Sequence, residues 1–166
     1  MTATVRDATL EDLSAIVAIY NQTIAGRQST ADLEPASPET KRAWFLEHTT
    51  RRRPLWVLED PEGIRAWLSF QSFYGRPAYD GTAELSIYVH EEARRHGYGR
   101  LLLERAIEGA PALSITTLLG FIFGHNTPSL LLFERYGFTR WGTLPRVAVL
   151  DGIERDLVIV GRRLSR

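Results

Sequence analysis

The sequence predicts a single α/β domain (residues 1–166), a mixed sheet with helices packed on its faces. Three observations predict it. Segments with apolar residues at helical spacing alternate with short β-branched and aromatic runs. A strand pattern enters a helix pattern directly through a turn that holds Gly97 and Gly99. Near the C-terminus, Asp151-Gly152 separates two apolar segments, a strong type I′ hairpin signal. At 166 residues the chain has the length of one domain with a real core, and no repeat, linker or low-complexity segment divides it.

Residues 3–8 read as a short strand. Thr9 caps the first helix with Asp12 at the capping-box position, and Leu13, Ile16, Val17, Tyr20 and Ile24 form its apolar stripe. Residues 25–36 are polar and irregular, as expected of a loop over a site. Ser37-Pro38 opens a second helix with proline at its first position, and Lys41, Trp44, Phe45 and His48 share one face. The run Arg51-Arg52-Arg53 reads as a solvated helix end. Residues 55–59 and 64–73 are strands joined by the turn Asp60-Pro61-Glu62-Gly63.

A loop over residues 74–81 precedes a strand at 83–89. The helix after Gly99 buries Leu103, Ala106, Ile107 and Ala110 and exposes Arg100, Glu104 and Glu108. Residues 114–124 are almost wholly apolar, the pattern of a strand covered on both faces. Thr127-Pro128 caps a further helix that stops at Tyr136-Gly137, and residues 147–150 and 153–160 make the last hairpin. The resulting order is β-α-α-β-β-β-α-β-α-β-β.

Composition narrows the function classes. A formal net charge of zero argues against a general nucleic-acid binder. Nineteen of the twenty basic residues are arginine, which reads as a compositional bias rather than a set of anion sites. With no cysteine, disulfides, thiolate metal sites and a cysteine nucleophile are excluded. The four histidines make no metal-ligand spacing, so no metal is expected. No apolar leader and no run of membrane-spanning length is present, so the chain is expected to be cytoplasmic with no membrane partner.

The turn Arg94-x-x-Gly97-x-Gly99 is the most informative motif. Its glycines let backbone N–H groups approach a ligand, and the helix N-terminus behind them carries partial positive charge. That combination suits a phosphate or pyrophosphate. Position 102 is leucine, where a dinucleotide fingerprint needs glycine, and the only lysine is Lys41, far from any Walker loop. On the preceding strand, alternation puts Glu84, Ser86 and Tyr88 on one face and Ala83, Leu85, Ile87 and Val89 on the other.

These features, in this order, resemble the GNAT acetyltransferases, whose acyl-CoA signature is Arg/Gln-x-x-Gly-x-Gly/Ala. Further segments resemble the phosphinothricin and methionine sulfone N-acetyltransferase branch: Ile19-Tyr20-Asn21, Pro35 and Arg42-Ala43-Trp44-Phe45; Ala78-Tyr79 followed by residues 82–89; and Asn126-x-x-Ser129 leading to Glu134-Arg135-Tyr136-Gly137-Phe138, with Asp156 in the last hairpin. The resemblance covers essentially the whole chain. It implies the GNAT fold, a mostly antiparallel mixed sheet with helices on both faces, splayed where acetyl-CoA binds. It also implies direct acetyl transfer from acetyl-CoA to the primary amine of a small amino-acid-like molecule, without metal, by a homodimer. A peptide amine acetylase and a CoA-binding sensor are the alternatives.

Carried residue by residue, the resemblance gives Glu84 as general base and Tyr88 as a second catalytic candidate. It puts the cofactor on Ile87, Tyr88, Val89, Arg94, Arg95, His96, Gly97, Tyr98, Gly99, Arg100, Asn126 and Ser129. The acceptor falls to Arg76, Tyr79 and Glu84. An oxyanion donor is expected from the backbone N–H of Tyr88 or Val89. Each candidate also has a structural reading. Glu84 could be paired with an arginine, Tyr88 could be a packed aromatic, and Asn126 could cap a helix with Thr127. His125 is expected to be structural, and Trp56, Trp67 and Trp141 core or dimer-interface aromatics. Two departures stand out. Tyr74 replaces the first of two loop arginines, and Phe133 replaces a histidine or tyrosine, so it cannot protonate a thiolate.

Overall fold

The computed structural model describes residues 2–164. Seven strands form one sheet: β1 (Thr4–Asp7), β2 (Leu55–Asp60), β3 (Gly63–Ser72), β4 (Thr82–Val89), β5 (Thr117–Phe123), β6 (Thr139–Leu150) and β7 (Ile153–Arg163). They lie in the order β1-β2-β3-β4-β5-β7-β6, and only the β4–β5 pair is parallel. The helices are α1 (Leu13–Gln22), α2 (Pro38–Leu46), α3 (Tyr98–Gly109) and α4 (Thr127–Arg135).

The two faces carry different cores because strand side chains alternate. On one face Ile16 and Ile19 of α1 pack with Leu55, Val57 and Trp67, and Trp44 and Phe45 of α2 lean on the same cluster. Trp67 Nε1 also donates to the Ile16 carbonyl at 3.1 Å, which ties α1 to β3. On the other face Leu102, Leu103 and Ala106 of α3, with Phe133 of α4, close over Leu68, Phe70, Leu85 and Leu118. Glu84, Ser86 and Tyr88 therefore face the α1–α2 layer, and their cross-strand partners Gln71, Ser69 and Trp67 share that face.

Several local expectations hold for visible reasons. Asp12 accepts the Thr9 N–H at 2.7 Å and pairs with Arg6 at 2.8 Å. Asp151 and Gly152 both have positive φ, as the type I′ turn requires. Four expectations are corrected. The last hairpin starts at Thr139, not at residue 147. Register shifts at 140/142 and 144/148 accommodate Gly142 and Pro145 in an edge strand, so alternation is hidden there. The helix α4 is capped by Asn126, whose Oδ1 accepts the Ser129 N–H at 3.4 Å, with Thr127 already inside the helix.

Glu104 is half-buried rather than exposed, because it accepts a hydrogen bond from the Tyr136 hydroxyl. Arg53 is not a solvated helix end. It is buried, and donates to Ser72 Oγ at 3.0 Å and to the Asp80 carbonyl at 2.7 Å, bracing the loop before β4. No described helix is long and apolar enough to cross a membrane.

Candidate active site

The site begins where β4 and β5 part. Their parallel pairing covers only Thr82, Ala83 and Glu84 of β4, while β5 continues away beside β7 to Phe123. The His90 N–H donates to the Arg65 carbonyl at 2.8 Å on the β3 side, and β3 and β4 pair without a register shift. Even-numbered N–H groups of β4 thus face β3, and beyond the last β4–β5 pair those of Ile87 and Val89 face the gap. Of the two expected oxyanion donors, the backbone geometry favours Val89. The Tyr88 N–H is turned to β3.

Beyond β4 the chain makes one turn of 3₁₀ helix at Glu91–Ala93 and then enters α3. Arg95 and Gly97 both take left-handed conformations, with φ of 70° and 77°. The first hydrogen bond of α3 runs from the Leu101 N–H to the Gly97 carbonyl at 2.9 Å. No side chain caps this end, so the N–H groups of Tyr98, Gly99 and Arg100 have no acceptor within the helix. Such an end, next to the exposed Arg94, Arg95 and Arg100, is a cradle for a pyrophosphate. At Gly99 a Cβ would lie 3.7 Å from Leu132 and Val89, an ordinary contact, so Gly97 is the position whose backbone requires glycine.

The Tyr98 side chain points inward. Its hydroxyl donates to Asp60 Oδ2 at 2.7 Å, and its ring stacks on His96 at 5.4 Å. What it can offer a ligand is its N–H. Asp60, at the end of β2, is held below the usual carboxylate range chiefly by that hydroxyl. The loop is thereby anchored to the end of β2 rather than free to drift.

One cleft of about 1,090 Å³ joins these parts, bounded by residues 84–89, the turn at 93–100, Asn126, Ser129 and Phe133. It brings together every residue that the sequence reading gave to the cofactor. Residues 28–31 line it from above, where a loop over a site was expected. Contacts from the cleft wall hold that loop: Tyr88 Oη donates to the Ser29 carbonyl at 3.1 Å, Asn126 Nδ2 to the Gln28 carbonyl at 3.2 Å, and His125 Nε2 meets the Arg27 carbonyl at 2.7 Å; from α1, the Tyr20 and Thr30 hydroxyls meet at 2.6 Å. Asn126 thus caps α4 and holds the loop at once, and His125 is a structural residue here.

Glu84 sits on the cleft wall, half-buried. Burial alone raises its carboxyl above the ordinary range, and no cation lies against it among the described residues. The arginine-paired reading of this residue has no counterpart in the structure. A carboxyl raised toward neutrality and open to a cleft can accept a proton from an ammonium. Tyr88 is stacked on Trp67 at 4.7 Å and meets Tyr20 edge-on at 5.3 Å. Its hydroxyl is pushed well above the ordinary phenol range, mainly by burial, which disfavours a phenolate and fits a packed aromatic that steers the loop.

A second cavity of about 210 Å³ lies on the α1–α2 side, between Tyr20, Lys41, Trp44, Trp67 and the polar row Ser69, Gln71 and Ser86. It shares Ser86 and Tyr88 with the large cleft. The sequence reading missed it, taking Trp67 as a core or interface residue. The available signal was the register that sets Gln71 opposite Glu84 and Ser69 opposite Ser86. Arg76 and Tyr79 lie elsewhere. Both are exposed on the loop before β4, where Tyr79 packs on Phe73 at 5.3 Å, and neither lines either cavity. Phe133 is buried at the cleft's inner end, edge-on to Phe138 at 4.9 Å.

Residues 11–138 match the family described as "Acetyltransferase (GNAT) family". The chain is 55% identical, over 98% of its length and 99% of the relative's, to a Bacillus subtilis (strain 168) protein provisionally named phosphinothricin acetyltransferase YwnH. It is 30% identical to the L-methionine sulfoximine/L-methionine sulfone acetyltransferase of Pseudomonas paraeruginosa (strain DSM 24068 / PA7), over 99% of this chain and 96% of that one. Among solved structures it is similar to a GNAT superfamily phosphinothricin acetyltransferase from Sinorhizobium meliloti in complex with AcCoA. There the TM-score is 0.92 with 30% identity, covering 99% of this chain and 90% of that one.

Proposed function

The chain belongs to the acetyltransferase (GNAT) family and is an acetyl-CoA-dependent N-acetyltransferase; from that premise we propose that it acetylates the α-amine of a small amino acid bearing a short polar side chain, of the phosphinothricin or methionine sulfone kind. The observation that carries the acceptor assignment is the meeting of the two cavities at Ser86 and Tyr88, beside Glu84. The larger has the volume and the backbone donors for acetyl-CoA. The smaller has room for one amino-acid side chain.

The free N–H groups of Tyr98, Gly99 and Arg100, with Arg94, Arg95 and His96 around them and Gly97 allowing the turn, hold the pyrophosphate. Asn126 and Ser129 flank the pantetheine arm, and the N–H groups of Ile87 and Val89 face it from β4. Glu84 takes a proton from the substrate ammonium, directly or through water. The neutral amine then attacks the thioester carbon as the C–S bond breaks. A Val89 N–H aimed at the carbonyl oxygen stabilises the negative charge developing there, a contribution of about 3 kcal/mol for one good donor. As the amide forms, the nitrogen sheds a second proton to solvent and keeps the third, and the thiolate takes one proton from water. Phe133 cannot give it, and a thiol pKa of about 8.5 makes the demand modest near neutral pH.

The same reading makes the enzyme a cytoplasmic homodimer. The edge hairpin exposes Trp141, Leu144, Val147, Val149 and Ile153, an apolar row suited to a second copy. The decisive experiment is acetyl-CoA consumption by the purified protein against amino acids, polyamines and peptides. Turnover of L-methionine sulfone or phosphinothricin well above that of peptides supports the proposal, and a requirement for peptides overturns it.

A further inference from the structure

We propose that Lys41 and the aromatic cavity beside it read the far end of the acceptor's side chain and select acceptors that carry a polarised or anionic oxygen there. The inference rests on the reading that the acceptor is a small amino acid.

Position comes first. Glu84, Ser86 and Tyr88 follow one another on a single face of β4, so Ser86 lies about 7 Å and Tyr88 about 13 Å from Glu84 along the strand. An amino acid whose amine faces Glu84 and whose side chain is as long as methionine's spans the first of these intervals. Its tip would then lie at Ser86, which lines the smaller cavity as well as the cleft.

The lining of that cavity supplies the chemistry. Trp44, Trp67 and Tyr20 give it an aromatic wall suited to a methyl or thioether-derived group, while Ser69, Gln71 and Ser86 offer neutral polar contacts. Lys41 is its one cationic lining residue and the only lysine in the chain. Its Nζ stands 5.1 Å from the Tyr20 ring centroid, and among the described residues it forms no salt bridge. A sulfone, sulfoximine, phosphinate or carboxylate oxygen at the side-chain tip would give that ammonium a partner. A cationic tip would be repelled. On the loop before β4, Tyr74 stands at one of the expected arginine positions, and Arg76 is exposed and lines neither of the two cavities.

The test compares kcat/KM for L-methionine sulfone and L-norleucine in wild type, Lys41→Met and Lys41→Arg at saturating acetyl-CoA. Both acceptors carry the same α-amine and α-carboxylate, and only the sulfone has oxygens at the tip. Wild type is expected to prefer the sulfone, and Lys41→Met to lower that preference about tenfold or more, mostly through KM. Lys41→Arg should recover part of it. Lys41 lies mid-helix and partly exposed, and methionine is a good helix former, so the fold is expected to persist; acetyl-CoA affinity checks this. An unchanged preference overturns the assignment, and so does an equal loss on both acceptors, which would place Lys41 at the α-carboxylate. If wild type acetylates neither, the small-acceptor reading fails separately. Titration of tryptophan fluorescence with L-methionine sulfone then decides the cavity: a Lys41-dependent change at Trp44 and Trp67 sustains it, and none removes it.

Discussion

The two sides of β4 were built by different means. On the cofactor side, the turn at 94–99 and the start of α3 act through backbone: a left-handed Gly97, three free N–H groups and a strand whose pairing with β5 stops at Glu84. On the acceptor side, the cavity is made of side chains from α1, α2, β3 and β4, brought together across the sheet. Backbone cradles need short, contiguous patterns and can serve one shared ligand in many proteins. Side-chain cavities need only compatible positions, so their residues can change with the acceptor. The first kind of site leaves a motif in sequence, and the second does not.

Glu84 stands where the two sides meet, and its removal tests the whole comparison with the largest effect. Glu84→Gln should lower kcat by about 10² or more at pH 7, while acetyl-CoA affinity changes little. The wild-type rate should rise as pH climbs through the raised carboxyl pKa. The variant should lose that limb and recover at high pH as the amine, with a pKa of about 8, deprotonates unaided. Stability should move the other way. A carboxyl whose folded pKa is raised costs nothing below its unfolded pKa of about 4.3, and the cost grows as pH rises from there to the folded value. Thermal melts of Glu84→Gln should therefore exceed wild type at pH 7 and converge with it in acid. Wild-type turnover in a folded Glu84→Gln protein would make Glu84 structural.

The next effect concerns the backbone side alone. Gly97→Val forces a β-branched residue into φ near 77°, at a cost of about 1–2 kcal/mol for left-handed backbone, more if the turn relaxes. Calorimetry should show acetyl-CoA affinity falling by about tenfold or more. Arg94→Ala removes only an exposed, screened charge and should cost roughly threefold. If the arginine proves the more costly of the two, the cradle works through charge rather than through backbone shape.

This contrast explains what could be read in advance. The order of elements and the Asp151-Gly152 turn followed from hydrophobic period and turn chemistry, because each is a local property. The candidate cofactor residues could be proposed from the stretch 87–100, with Asn126 and Ser129 added by resemblance. The start of β6 was hidden because bulges around Gly142 and Pro145 break the alternation that marks a strand. Arg53 was misread because its partners, Ser72 and Asp80, are distant in sequence, and a run of arginines carries no sign that its last member is buried. Lys41 was visible as a member of one helix face, and Trp67 as a core or dimer-interface aromatic. That they share a cavity with Gln71 and Ser86 depends on how α2 lies across β3, which no spacing within the chain reports.

Phe133 offers the smallest effect and tests whether the cofactor side keeps a vestige of side-chain chemistry. The ring is buried at the inner end of the cleft, and a Cβ on Gly120 would come within 3.1 Å of it, so the surrounding packing is tight. Phe133→Tyr adds one oxygen at the ring's tip. If that oxygen reaches the departing sulfur, it can donate a proton, since a phenol of pKa about 10 stays protonated through the neutral and acidic range, and it regains the proton from water. If water already protonates the thiolate, the donor adds little. The expected outcome is a change in kcat within about threefold at pH 7, since a thiol of pKa about 8.5 leaves readily. A pH–rate profile separates the cases: an increase through the neutral and acidic range assigns the lost proton donor to this position, whereas a uniform decrease reports only crowding against Gly120 and Phe138. A gain well beyond tenfold would mean that thiolate departure, rather than amine deprotonation at Glu84, limits the native enzyme.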